Sequence, residues 1–149
     1  MENPILRMYI DSLLSIKQGM GVQSKSLAKP IFIISLIDCI SMLYLTENKF
    51  SVDNMQIKQQ YEYYQKLYPE SNIPNISIPF YHMSSAPFYH LIWKSDEQQQ
   101  IKGTPSAKFL RDHLLYAKLD DELWELLQDA ESRELIKRSI IQKYLPHPL

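Results

Sequence analysis

The sequence predicts an α+β domain, mostly helical, with a small antiparallel sheet. Three observations lead there. Apolar residues recur at helical spacing in several separate segments. One 16-residue run, Pro30 to Leu45, is apolar on nearly every side, the mark of a helix central to a core. The stretch Phe88-Tyr89-His90-Leu91-Ile92-Trp93 has the aromatic and β-branched content of a strand.

The chain has 149 residues, enough for a single domain. Sixteen Lys and Arg oppose 17 Asp and Glu, so no bulk positive charge drives nucleic-acid binding, and any phosphate site must be a local patch. Three glycines, Gly19, Gly21 and Gly103, cannot build a Walker loop or a Gly-x-Gly-x-x-Gly turn. The single cysteine, Cys39, excludes an intrachain disulfide and reads as a small buried hydrophobe, consistent with a reducing cytoplasm. Met1-Glu2-Asn3-Pro4 does not open a secretory signal. The 30–45 run contains Asp38 and is shorter than the roughly 20 apolar residues a bilayer span needs, so no membrane partner is expected.

Taken in order, residues 4–17 read as a helix with Pro4 in its first turn and Ile5, Met8, Leu13 and Ile16 on one face. Gly19-Met20-Gly21 ends it, and a polar linker, 22–29, leads to Pro30. In the 30–45 helix, Ser35, Asp38 and Ser41 form a narrow polar stripe facing solvent or a neighbouring backbone. Phe50-Ser51-Val52 reads as a short strand. Asp53 and Gln56 read as a capping box for a helix reaching Tyr68, with Ile57, Tyr61, Tyr64 and Tyr68 inward. Residues 69–75 are a loop by composition. Ile76 to Met83 and Phe88 to Trp93 are expected to pair as two short strands, with Pro79 at the edge or end of the first. Ser95 to Gln100 reads as a polar turn, with room for a third strand beyond it. Thr104-Pro105-Ser106 opens a helix to 111–113, and 114–117 is ambiguous. Asp120 or Asp121 caps a helix carrying Leu123, Leu126 and Leu127. Asp129 caps the last helix, which puts Ile136, Ile140, Ile141 and Tyr144 inward and stops at Pro146. That leaves 146–149, with His147, as a tail expected to be unstructured.

No catalytic constellation emerges. A helical His-x-x-x-His pair and a Gly-x-Ser-x-Gly elbow are both missing, and the carboxylates gathered at 120–134 suit helix caps and solvated faces. The chain is therefore expected not to be an enzyme and to need no cofactor or metal. Lys25 and Lys29 flank a serine-containing loop that feeds a helix amino end, where unpaired N–H groups suit a phosphate; a solvated loop explains the same residues. Tyr81, His82, Tyr89, His90 and Trp93 put aromatic and polar tips near one turn, fit for sugar, phosphate or base, or for closing a small core.

Several segments resemble one family. They are Lys29-Pro30 followed by Ile31-Phe32-Ile33-Ile34-Ser35-Leu36-Ile37; Ile78-Pro79-Phe80-Tyr81-His82-Met83 with Pro87-Phe88-Tyr89-His90-Leu91; and Leu119-Asp120-Asp121-Glu122-Leu123 with Leu127 and 133–144. Together they resemble the amino-terminal sulfur-binding domain of HNH restriction endonucleases, which recognises phosphorothioate-modified DNA. The resemblance covers roughly residues 20–145, so 1–20 is expected as an N-terminal helix and 21–145 as the core. It implies double-stranded DNA as partner, backbone contacts from Lys25, Ser26 and Lys29, and a site around Ile78, Pro79, Tyr81 and His82, with Pro79 as a pocket wall. Ile78 stands where the family often has an aromatic residue, and His82 where a small one is expected. No His-Asn-His constellation follows, so the resemblance implies recognition without cleavage, working with a separately encoded nuclease of a restriction system. The other reading is a protein-interaction or scaffold domain that keeps the fold without binding DNA.

Overall fold

A computed structural model describes residues 3–20, 25–95, 101 and 103–147. Its order is α1 (Pro4–Leu13), α2 (Ala28–Ser41), α3 (Met55–Leu67), α4 (Ser77–His82), β1 (Tyr89–Trp93), α5 (Ala107–His113), β2 (Leu114–Leu119), α6 (Asp121–Gln128) and α7 (Ala130–Tyr144). Short 3-10 turns occupy Pro69–Ser71 and Met83–Ser85. The α+β expectation holds. Among the described residues no helix is long and apolar enough to cross a membrane.

The core is built around α2. Every residue from Pro30 to Ile40 is buried, and α3, α4, α6 and α7 all pack on this helix. Four rings then join the helices to the sheet. Phe32 of α2 meets Phe80 of α4 and Tyr89 of β1, each edge-on at 6.0 Å, and Phe50 meets Phe80 at 6.3 Å. Edge-to-face rings of this kind add to the stabilisation that their buried area supplies.

Several elements differ from expectation for identifiable reasons. Helix α1 stops at Leu13, because the Tyr144 hydroxyl donates to Leu13 O at 2.6 Å and accepts from Ile16 N at 3.2 Å, tying down the chain. Its inward face is Leu6, Tyr9, Ile10 and Leu13, whereas Ile5 and Met8 are exposed. The cap of α3 is Asn54, whose side chain accepts from Ile57 N; Asp53 is instead taken by Arg111 at 3.0 Å. The expected strand 50–52 is a single bridge, Phe50 to Ala117. The partner of β1 is not 76–83 but β2, antiparallel, with Tyr89 opposite Leu119 and an irregularity between Ile92 and Trp93. That resolves the ambiguous 114–117 as strand. Most of the turn anticipated after Ser95 lies outside the described residues. His147 is held in place: its ring stacks on Tyr68 at 4.5 Å, and Tyr68 donates to its carbonyl at 3.0 Å.

Of the polar stripe on α2, Ser41 is exposed and Ser35 donates back to Ile31 O at 2.7 Å. Asp38 does not face solvent. It is 7% exposed and accepts from Tyr64, from Gln60 at 2.9 Å and, as an ion pair, from Lys137 at 2.7 Å. One carboxylate thus ties α2 to α3 and α7. A nearly buried charge left short of a donor is costly, so Lys137→Ala is expected to lower stability by about 1–3 kcal/mol in urea unfolding.

Burial, and then the Asp38 charge, push the neighbouring Cys39 thiol up from 9.0 to about 11. The folded chain therefore resists ionisation that the unfolded chain undergoes. The stability this contributes is intact below pH 9.0 and is lost as pH rises towards about 11. Cys39 is expected to be silent to an aromatic disulfide reagent at about pH 8 until denaturant is added.

Candidate nucleic-acid interface

One wall of the candidate site is the arm between α1 and α2. Met20 bridges to Lys25, Ser26 N donates to Gly19 O at 2.6 Å, and Gln18 Nε2 donates to Ser26 O at 2.9 Å. Residues 18–20 and 25–26 therefore lie side by side, and the latter deliver the chain into α2. The helix starts at Ala28, two residues before the expected Pro30, because Ser26 Oγ accepts from Ala28 N at 3.2 Å. Pro30 is still in the first turn, where a missing N–H costs nothing.

The opposite wall is α4. Aromatic and β-branched density in 76–83 suggests a strand, but Asn75 starts a helix. Its side chain accepts from Ser77 N at 2.9 Å, its carbonyl accepts from Ile78 N at 3.0 Å, and Phe80 N reaches Ile76 O at 2.9 Å. Pro79 fits as the third helical residue, again where no N–H is required. Phe80 anchors this turn in the aromatic cluster, so Ile78, Pro79 and His82 face the arm.

Between the two walls lies a cleft of about 620 Å³. Ser26, Lys29, Ile78, Pro79 and His82, five of the seven residues singled out from sequence, line it. Lys25 is exposed on the arm, opposite Met20, which is on the cleft wall. Tyr81 is elsewhere: it lines a separate cavity with Ser84, His90 and Trp93, on the far side of α4. Gln18 and Asn72 also line the cleft, with no motif to announce them.

The cleft is cationic and locally apolar. Lys29 spans it, donating to Lys17 O at 2.8 Å and to Ser85 Oγ at 3.0 Å. Among the described residues two of the three ammonium donors are thereby engaged. Burial, and then the Lys17 charge, hold the Lys29 ammonium below its ordinary value. His82 Nε2 lies 2.7 Å from Thr104 Oγ1, across 22 residues of chain, and burial followed by the Lys29 charge lowers its imidazole below 6.5. Both groups are short of negative charge, and no carboxylate lines the cleft among the described residues. Among the described residues no group of three or more His, Cys, Asp or Glu could hold a metal. A cation beside an apolar wall of Ile78 and Pro79 can hold a large, weakly hydrated anion.

No family model matches the sequence, and neither does any curated protein. Solved structures do match. The sulfur binding domain of ScoMcrA, complexed with phosphorothioated DNA, aligns at a TM-score of 0.70 and 13% identity, over 95% of this chain and 91% of that one. The sulfur binding domain of SprMcrA, also complexed with phosphorothioated DNA, aligns at 0.66 and 12%, over 97% of this chain and 88% of that one. A ScoMcrA structure holding the sulfur binding and SRA domains aligns at 0.70 and 10%, over 92% of this chain but 42% of that one. Built from the two walls described above, the chain has the fold of these sulfur binding domains.

Proposed function

We propose that this chain is a DNA-binding recognition module that holds a backbone phosphorothioate of duplex DNA in the cleft between the 18–29 arm and α4. The observation that carries the reading is the placement of Lys29 opposite the Ile78–Pro79 wall in one cleft. Lys29 supplies the charge that any backbone anion requires. The apolar wall favours sulfur, which is larger and less strongly hydrated than the phosphate oxygen it replaces. The shared fold supports the reading, since the aligned sulfur binding domains were solved with phosphorothioated DNA. Lys25 and Ser26 are assigned to the flanking backbone. We assign the module to a restriction-type system, with a nuclease as its partner.

Binding of a short duplex, with and without one phosphorothioate, across a salt series tests this. Log K is expected to fall with log salt by about 0.9 per phosphate contacted, for a few phosphates, with the modified duplex bound more tightly. Lys29→Met is expected to weaken both duplexes and to reduce the slope by about one. Failure to bind either duplex at low salt overturns the proposal and leaves the protein-interaction reading; equal binding removes the sulfur preference only.

His82 sets the width and polarity of the α4 wall. His82→Ala replaces an imidazole held by Thr104 with a methyl group, opening and drying that wall. The ratio of modified to unmodified affinity is expected to rise severalfold, and an unchanged ratio would remove His82 from the site.

A further inference from the structure

Lysines elsewhere in the fold meet carboxylates. Lys108 pairs with Asp112 at 3.0 Å, Lys118 with Asp121 at 3.0 Å and Lys137 with Asp38 at 2.7 Å, and the His90 imidazole lies 2.5 Å from Asp120. Lys29 instead donates to two neutral oxygens, Lys17 O at 2.8 Å and Ser85 Oγ at 3.0 Å. We propose that Ser85 is a positioning residue of the cleft, which fixes the Lys29 ammonium opposite the Ile78–Pro79 wall without neutralising it; the proposal rests on the DNA-binding reading above.

Both acceptors are anchored through the core. Ser85 closes the 3-10 turn Met83–Ser85, which follows directly on α4. Met83 is buried, Ala86 N donates to Met83 O at 3.0 Å, and Ser84 Oγ donates to Tyr81 O at 2.8 Å. The turn that carries Ser85 is therefore set by the same segment that carries Pro79 and His82. On the other side, Ile16 precedes Lys17, is buried, and donates its N–H to the Tyr144 hydroxyl at 3.2 Å. The Lys29 side chain thus bridges the end of α1 and the end of the α4 wall.

A free lysine stem has much rotamer freedom, and ordering it at the moment of binding subtracts from affinity. Two charge-assisted hydrogen bonds made beforehand remove that loss. A carboxylate in place of Ser85 would order the stem equally well, but it would offset the charge that an anion needs. A hydroxyl and a carbonyl leave that charge in place, and among the described residues one of the three ammonium hydrogens remains for the anion. The apolar wall separates sulfur from oxygen only when the anion is held at one place, so Ser85 acts on discrimination as well as on affinity.

A double-mutant cycle of Ser85→Ala and Lys29→Met, read as duplex binding at low salt, tests the proposal. Ser85 is exposed, so Ser85→Ala is expected to leave the unfolding midpoint unchanged. It is expected to weaken the modified duplex about fivefold, with a smaller loss for the unmodified one. Ser85→Thr keeps the hydroxyl and should bind as the wild type does. In the Lys29→Met background, Ser85→Ala should cost nothing further, because the ammonium it positions is gone. Unchanged binding by Ser85→Ala overturns the proposal, as does a loss that persists at full size in the Lys29→Met background. In either case, weaker binding by Lys29→Met alone leaves the cleft reading standing. Absence of all duplex binding by the wild-type chain overturns both.

Discussion

The structure depends on hiding α2. A helix that is apolar on every side cannot be covered by one neighbour, and here it takes four helices to do it. That requirement fixes where the chain must run before and after. The buried stretch begins at Leu27, so the residues just ahead of it, Ser26 and the arm, are held at the surface where the helix emerges. Lys29 is the first α2 residue not fully covered, and it lines the cleft while its ammonium donates to Ser85 Oγ. The candidate site is therefore a consequence of the core rather than an addition to it.

Helix α4 does the complementary work. It is six residues long, too short to be stable alone, and it is fixed by Phe80 entering the aromatic cluster. Helical geometry then turns consecutive residues to different sides. Pro79 and His82 share the cleft, and Tyr81 is thrown to the other cavity. A strand would have alternated the same residues between two faces and separated Pro79 from neither Tyr81 nor Met83. Folding this segment as a helix decides which residues act together.

Much of this was legible in the sequence, and the failures have a common cause. The helix around 30–40, the tyrosine stripe of α3, the strand at 89–93 and the last two helices declare themselves through local periodicity and caps. Segment 76–83 misleads because its aromatic and β-branched content describes burial as well as strand, and packing against α2 determined the outcome. Asp38 misleads because its partners, Gln60, Tyr64 and Lys137, come from two other helices. Likewise, the grouping of Ser26 and Lys29 with Ile78, Pro79 and His82 was reached through a resemblance, since no local rule relates residues some 50 positions apart. The His82–Thr104 contact and the Asp120–His90 pair had no sequence signal at all.

A net charge of −1 looks like the strongest objection to a DNA-binding role, yet the sum says little about the field at one face. Several carboxylates are already committed elsewhere. Asp38 is paired inside the core, Asp53 with Arg111, Asp121 with Lys118, and Asp129 caps α7 by accepting from Ser132 N. The cleft and the second cavity have cations or donors on their walls, and no carboxylate lines either among the described residues. Lys29 and His82 in particular are depressed by burial and by like charge, so an arriving anion relieves an existing penalty. Under the proposed DNA-binding reading, a single lysine beside His82 contributes little charge among the described residues, so the apolar wall at Ile78 and Pro79 has proportionally more influence on which backbone is held.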